Sequence, residues 1–410
     1  MSENIDIHLG RDRKNTPEAT EPTVYRSLGD QEDERKKSIA VADIRRTLAV
    51  FDESLLDPSV LTNARNVSIL EENLGDLSLE WQARITTGGI DHHNEKGETV
   101  GRVFTGNQVG RGGLGSINEV YFARSGQSKL ERGVGKTHLD ATENPYAYRA
   151  FLDEKNNAQI IQKILEDYPA EPGARNLARP LLVSNESVVY EKIENNQGES
   201  LNLRATMEQS SVRDWLLQLA GGVEGLAYLQ RHGLNHFDFK PDNIVLGKNG
   251  EGVLLDYGAA RPHGRIEMDR ISITPRFTDI QNIVLQDLTQ VHDICDKFAV
   301  GMSLRDFLLK KEFLEPEKNP APISHKLLAL KETSSEAMKE LHVLYVKLSE
   351  VGKNFESDSV NYVPLDQLAD RLRAIAKMFP EIRGAPNRDK NQESHAAPTI
   401  PAAETLPIQS

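Results

Sequence analysis

Cysteine is almost absent from this 410-residue chain: Cys295 stands alone, so no intramolecular disulfide can form, and no Cys/His grouping has zinc-site spacing. A reducing compartment and a metal-poor structure are expected. Long apolar runs are missing as well. No segment approaches the roughly 18–20 apolar residues that span a bilayer, and the polar stretch from Met1 to about Asp33 lacks the apolar core of a secretory signal. Basic residues are outnumbered, 49 Lys+Arg against 62 Asp+Glu for a formal charge of −13. That balance argues against a general nucleic-acid binder, because neutralising phosphates needs a basic face. A soluble, cytoplasmic protein with two or three domains is expected from composition and length.

Residues 1–33 mix Pro, Asn, Thr and charges without periodicity and are expected to be disordered. Residues 34–98 read as a helical extension: Val41, Ile44, Leu48, Phe51 and Leu55 recur at spacings of three and four with Pro58 just beyond, and a weaker pattern runs from Leu70 to Trp81. Gly88-Gly89 punctuates the chain, and His92 to Gly97 reads as a loop. Its adjacent histidines lack the further ligands that a metal would need.

From residue 99 the pattern turns to strands at Val100–Asn107, Ser116–Ala123 and Glu131–Leu139. A helix is expected over Asn144–Glu166, then strands at Leu181–Val183 and Val188–Tyr190 around a Ser-Asn-Glu turn. Val212, Trp215, Leu216, Leu219, Val223, Leu226 and Leu229 mark one long helical stripe, and helices dominate from Asp287 to Phe379. The Pro-, Ala- and Asn-rich residues 381–410 are expected to be a disordered tail.

Gly110-Arg111-Gly112-Gly113-Leu114-Gly115 satisfies G-x-G-x-x-G. A dinucleotide fold would follow it with a helix, yet Ser116 to Ala123 is β-branched, aromatic and alternating. Strand, glycine turn, strand is instead a hairpin whose backbone can approach phosphates without a Cβ clash. Gly133-Val134-Gly135-Lys136-Thr137 imitates the end of a Walker A loop, but Leu130 occupies the position of its first glycine. On a strand, Lys136 shares a face with Val134 and His138.

His236-Phe237-Asp238-Phe239-Lys240-Pro241-Asp242-Asn243, followed by Asp256-Tyr257-Gly258, resembles the catalytic loop and D-F-G motif of protein kinases. With Thr274-Pro275-Arg276-Phe277 and the segment Asp293 to Gly301, the matching elements run in order from about Val109 to Gly301. The resemblance implies a bilobal α+β fold over residues 99–380, with a β-rich small lobe (99–194) and a helical large lobe (195–380). It implies a serine/threonine protein kinase that uses ATP and Mg²⁺ on a protein substrate. Asp238 would be the catalytic base, Lys240 would stabilise γ-phosphate charge, Thr274 with Lys240 would mark the serine/threonine class as a catalytic-site residue, and Asn243 and Asp256 would hold the metal. Lys136 would contact the α/β-phosphates and pair with Glu154, Asp153 being its rival. Gly110, Gly112, Gly113 and Gly115 would cover the phosphates. Tyr190 would be the gatekeeper, backbone groups of Glu191 and Ile193 would meet the adenine edge, and Ile117, Val134 and Val245 would sandwich the purine. Asp296 would hold the catalytic-loop backbone.

The sequence departs from the family in two places that matter. Phe237 replaces the arginine that commonly receives an activation-loop phosphate, so activity independent of loop phosphorylation is expected. Asp279-Ile280-Gln281 stands where A-P-E would fall, which removes the glutamate that ties the segment to a later arginine. The small-molecule phosphotransferases share the H-x-D-x-x-x-x-N core and are one alternative; a pseudokinase scaffold is another. Arg261, Arg265, Arg270 and Arg276 hint at an acidic target. The extension before residue 99 is expected to serve a regulatory partner, and the divergent loops are compatible with a bacterial kinase, including an effector delivered into a host cell.

Overall fold

The computed structural model describes residues 64–73, 76–78, 81, 84–85, 88–112, 115–138, 145–263, 274–278, 294–314, 335–349 and 363–380. The segments expected to be disordered (1–33 and 381–410), the helix expected over Val41–Leu55, Gly113, Arg265, Arg270 and Asp279-Ile280-Gln281 lie outside these residues. The chain divides into two compact units, Met1–Thr87 and Gly88–Ser410. The first contributes helix α1, Ala64–Asn73, whose Ile69 is buried and whose Asn73 amide donates to the Ile69 carbonyl at 2.8 Å.

The second unit opens with a six-stranded antiparallel sheet formed by β1 (Ile90–His93), β2 (Thr99–Gly112), β3 (Gly115–Arg124), β4 (Glu131–His138), β5 (Pro180–Val183) and β6 (Ser187–Glu191). Its order is β1-β2-β3-β4-β6-β5. Alternation places Val103, Val120, Phe122, Leu182 and Val189 on one buried face. Helix α2, Pro145–Asp167, crosses the sheet and turns Phe151 and Ala158 toward Val188. The strand β1 corrects the loop expected from His92: Ile90–His93 pairs with β2, and only Asn94–Gly97 turns. Four polar-rich residues give no readable alternation, so this pairing is set by tertiary contacts.

Helices α3 (Val212–Arg231), α4 (Ile294–Lys310), α5 (Glu336–Ser349) and α6 (Leu365–Lys377) build the other half around one core, with Trp215 stacked on Phe307 at 4.0 Å. Ser211 caps α3, its hydroxyl accepting the Asp214 N–H at 3.0 Å. Helix α4 is buried on every side from Ile294 to Leu308, as expected of a helix at the centre of a core. The sheet and the helical bundle are the two lobes of a bilobal α+β fold. No helix among the described residues is long and apolar enough to cross a membrane.

Small β-ladders on the helical lobe place the loops that matter. β7 (Leu234–Asn235) pairs with β10 (Arg261–Pro262), and β8 (Ile244–Leu246) pairs with β9 (Gly252–Leu254). The second ladder, extended by the Leu255 N–H to Asn243 carbonyl bond at 2.8 Å, brings Asn243 and Asp256 to the same end. It lies directly on α3: a Cβ added at Gly252 would fall 1.9 Å from the Gln218 carbonyl. Gly252→Ala should therefore lower stability by about 3 kcal/mol through overpacking, read as a fall in the thermal or urea midpoint. An unchanged midpoint would contradict this packing.

Candidate active site

Lys136 lies on the middle strand β4, opposite Ile117 of β3 and Val188 of β6. Its ammonium pairs with Glu154 of α2 and with Asp256 Oδ1 at 2.8 Å. One cation thus joins strand, helix and the segment that follows β9. Burial alone would lower the Lys136 pKa, but the carboxylates of Asp256 and Glu154 outweigh it and raise the group above its ordinary value. Burial pushes the Asp256 carboxyl up, while Lys136 pulls it down further, to about 2. Burial holds Glu154 above the usual carboxylate range against the pull of Lys136, with the Asp256 charge adding to the rise. The Tyr190 hydroxyl donates to Glu154 Oε1 at 3.0 Å, and burial followed by the Glu154 charge keeps that phenol protonated well above its ordinary range.

The catalytic-loop residues are held by backbone bonds. Asp296 of α4 accepts the N–H groups of His236 and Phe237, each at 2.9 Å. His236 Nε2 lies 3.0 Å from the Leu255 carbonyl, which can only accept; Nε2 therefore carries the proton, and Nδ1 accepts the Asp238 N–H at 3.3 Å. Phe237 and Asp256 adopt left-handed backbone conformations, φ 61° and 63°, at the two turns flanking the site. Lys240 Nζ donates to Asp238 Oδ2 at 2.5 Å and to Thr274 Oγ1 at 2.7 Å, while the Thr274 N–H donates to Asp238 Oδ1 at 3.1 Å. Asn243 donates its amide to the Asp238 carbonyl at 2.9 Å and to Oδ2 at 3.2 Å.

A cavity of about 420 Å³ opens between the lobes, within the usual range for a small-molecule site. Ile117 and Val134 line it from the sheet and Val245 from the helical lobe; Glu191 and Ile193 lie along the connection, and Lys136, Glu154, Asn243 and Asp256 occupy its inner end. Gly110 faces Ile117 and Gly112 faces Gly115 across the β2–β3 hairpin, whose Val109 reaches the cavity. Asp238, Lys240 and Thr274 form a second cluster, joined to this one through Asn243. Among the described residues no group of three or more His, Cys, Asp or Glu side chains is placed to hold a metal. Asn243 and Asp256 are among the oxygen donors that line the cavity.

The rival Asp153 points elsewhere: its carboxylate pairs with Arg261 at 2.8 Å. Sequence reasoning missed Asn157, whose buried amide donates to the carbonyls of Tyr257 at 2.7 Å and Ala260 at 2.9 Å, and also Ala178 and Leu255 in the cavity wall. A three-residue step from Glu154 along α2 was the available signal for Asn157. A charge pair also ties the described part of the Thr274–Phe277 segment to the helical lobe. Asp306 of α4, 3% exposed at its side chain, pairs with Arg276 and lies 3.2 Å from Arg204.

A protein kinase domain model matches residues 105–364, well over half of the chain. The chain belongs to the protein kinase family. Similar proteins include a probable serine/threonine-protein kinase of Streptomyces coelicolor, 27% identical over 165 residues that cover 40% of this kinase and 23% of that protein. The serine/threonine-protein kinase PknD of Chlamydia pneumoniae is 29% identical over 171 residues, 39% of this chain and 17% of its own. A probable serine/threonine-protein kinase of Dictyostelium discoideum is 24% identical over 238 residues, covering 54% and 46%. This kinase thus spans a quarter or less of the length of the first two relatives.

The Asp256 ion pair gives a signed pH dependence. Its carboxyl titrates at about 2 in the folded protein against 3.8 ordinarily, so its contribution to stability is complete above about pH 4 and is lost as the pH falls toward 2. Wild type should exceed Asp256→Asn in stability by a constant margin above about pH 4, and the margin should close on acidification. Acid-unfolding curves of the two proteins that stay parallel to pH 2 would contradict the assignment.

Proposed function

We propose that this kinase transfers the γ-phosphate of Mg-ATP to serine or threonine hydroxyls of a protein. The observation that carries the reading is the bonded set Asp238–Lys240–Thr274. A carboxylate, a cation and a threonine are held together beside the cavity, in the arrangement that hydroxyl phosphorylation requires. The Asp238 carboxylate accepts the proton of the acceptor hydroxyl as its oxygen attacks the γ-phosphorus and the ADP oxygen leaves. Lys240 neutralises charge on the moving phosphoryl group, and Lys136, fixed by Glu154, meets the α/β-phosphates.

Asn243 and Asp256 fit Mg²⁺ in chemistry. The Asn243 amide nitrogen is committed to Asp238, which assigns its oxygen to the cation, and Asp256 is held ionised. Bound there, Mg²⁺ would neutralise the phosphate oxygens. Gly110, Gly112, Gly113 and Gly115 would cover the phosphates from above. The Glu191 N–H is already given to the Arg179 carbonyl at 2.9 Å, so adenine would meet the Glu191 carbonyl and the Ile193 backbone, with Ile117, Val134 and Val245 against its faces. The lone cysteine, Cys295, is buried, in keeping with work in a reducing, cytoplasmic setting.

Activity is proposed to be independent of activation-loop phosphorylation. Phe237 is buried, 3% exposed, and offers no cation to a phosphate. Fixed charge pairs already tie the segment at both described ends, Arg261 to Asp153 and Arg276 to Asp306. Their internal engagement also withdraws these two arginines from the hint of an acidic target.

Purified protein should transfer labelled γ-phosphate to itself or a generic protein acceptor, yielding phosphoserine or phosphothreonine. Asp238→Ala and Lys136→Met should each lower transfer at least 100-fold, given the size of general-base and positioning effects. Prior phosphatase treatment should leave the wild-type rate within twofold. Mg-dependent ATP binding without protein phosphorylation would favour a small-molecule kinase or a scaffold, and a phosphatase-sensitive rate would contradict loop independence.

A further inference from the structure

The sheet begins at Ile90, ahead of the residues covered by the kinase domain model, and this added hairpin reaches α2. His92 is buried, with Nδ1 at 3.0 Å from Ser184 Oγ and 3.2 Å from Ser187 Oγ. The Asn185 N–H donates to the His93 carbonyl and its amide to the Asn94 carbonyl, both at 2.8 Å. The turn between β5 and β6 is thereby stitched to the β1–β2 turn. Lys155 of α2 reaches into this junction: its side chain is 6% exposed, and its ammonium lies 3.1 Å from Glu95 Oε1 and 3.2 Å from Asn185 Oδ1.

A buried ammonium is costly unless paired and hydrogen-bonded, so the hairpin and α2 hold each other in register. Lys155 directly follows Glu154, the partner of the nucleotide-site lysine, and adjacent helical residues point about 100° apart. We propose that Glu95 and Lys155 are positioning residues for the Lys136–Glu154 pair, with the β1–β2 hairpin acting as a strut that keeps α2 turned toward the cleft. The proposal rests on the kinase reading of the site. It makes the segment that leads in from the Met1–Thr87 unit a physical part of the catalytic lobe.

Glu95 is largely exposed, 68% at its side chain, so Glu95→Ala can be made in the full-length protein without opening a core. The expected result has three parts: kcat falls about fivefold with the thermal midpoint within a degree of wild type, amide exchange in α2 quickens, and Glu95→Asp recovers most of the loss. Adding Glu95→Ala to Lys155→Met should lower kcat no further than Lys155→Met alone. Unchanged α2 exchange overturns the strut, and faster exchange with unchanged kcat, or additive single effects, overturns the positioning role. A wild type that transfers no phosphate overturns the kinase reading itself, and α2 exchange then decides the strut separately.

Discussion

Everything in the catalytic half hangs on one lysine having two carboxylates. Lys136 binds the buried Glu154 from a helix and the partly exposed Asp256 from the segment after β9, and a carboxylate as buried as Glu154 needs such a partner. The two carboxyl groups face a single ammonium at the inner end of the cavity, where Asp256 is held ionised and Lys136 charged, the setting on which the proposed cation and phosphate roles rest. The same contact sets the relative placement of strand, helix and loop, so stability and chemistry share a single electrostatic constraint. Breaking one partner would leave the other as an uncompensated charge.

Helix α2 is the element on which that constraint acts, and three successive side chains hold it from three directions. Asp153 takes Arg261 at the start of the activation segment, Glu154 takes Lys136 in the cleft, and Lys155 takes Glu95 of the added hairpin. Asn157 binds the backbone after Asp256. The proposed independence from loop phosphorylation rests on this grip. The Arg276–Asp306 pair adds a further charge tie, and the buried Phe237 offers no cation to a phosphate.

The site was legible where its chemistry is compact. His236 to Asn243 and Asp256 to Gly258 place the proposed base, cation and metal donors within short stretches, and the structure gathers Lys136, Glu154, Asn243 and Asp256 around one cavity. The main lobes followed from alternation before Tyr190 and helical stripes after Val212. What could not be read depends on distant partners. Ile90–His93 is a strand because β2 and the β5–β6 turn complete it. The choice between Asp153 and Glu154 is settled by Arg261, 108 positions away in the chain. The helix through Gly221-Gly222 was readable from its stripe, but the reason for glycine there was not: Gly252 and Ile244 press on them. The Arg276–Asp306 pair joins residues 30 positions apart and so left no motif to find.

Lys136, Glu154 and Asp256 are proposed to form one nucleotide- and metal-binding unit. Calorimetric titration of ATP with and without Mg²⁺, into wild type, Lys136→Met and Asp256→Asn, tests it most directly. Binding should be Mg-enhanced in wild type, lose the Mg enhancement in Asp256→Asn, and be at least tenfold weaker in Lys136→Met, with all three proteins folded. Equal affinity and equal Mg dependence across the three would contradict it.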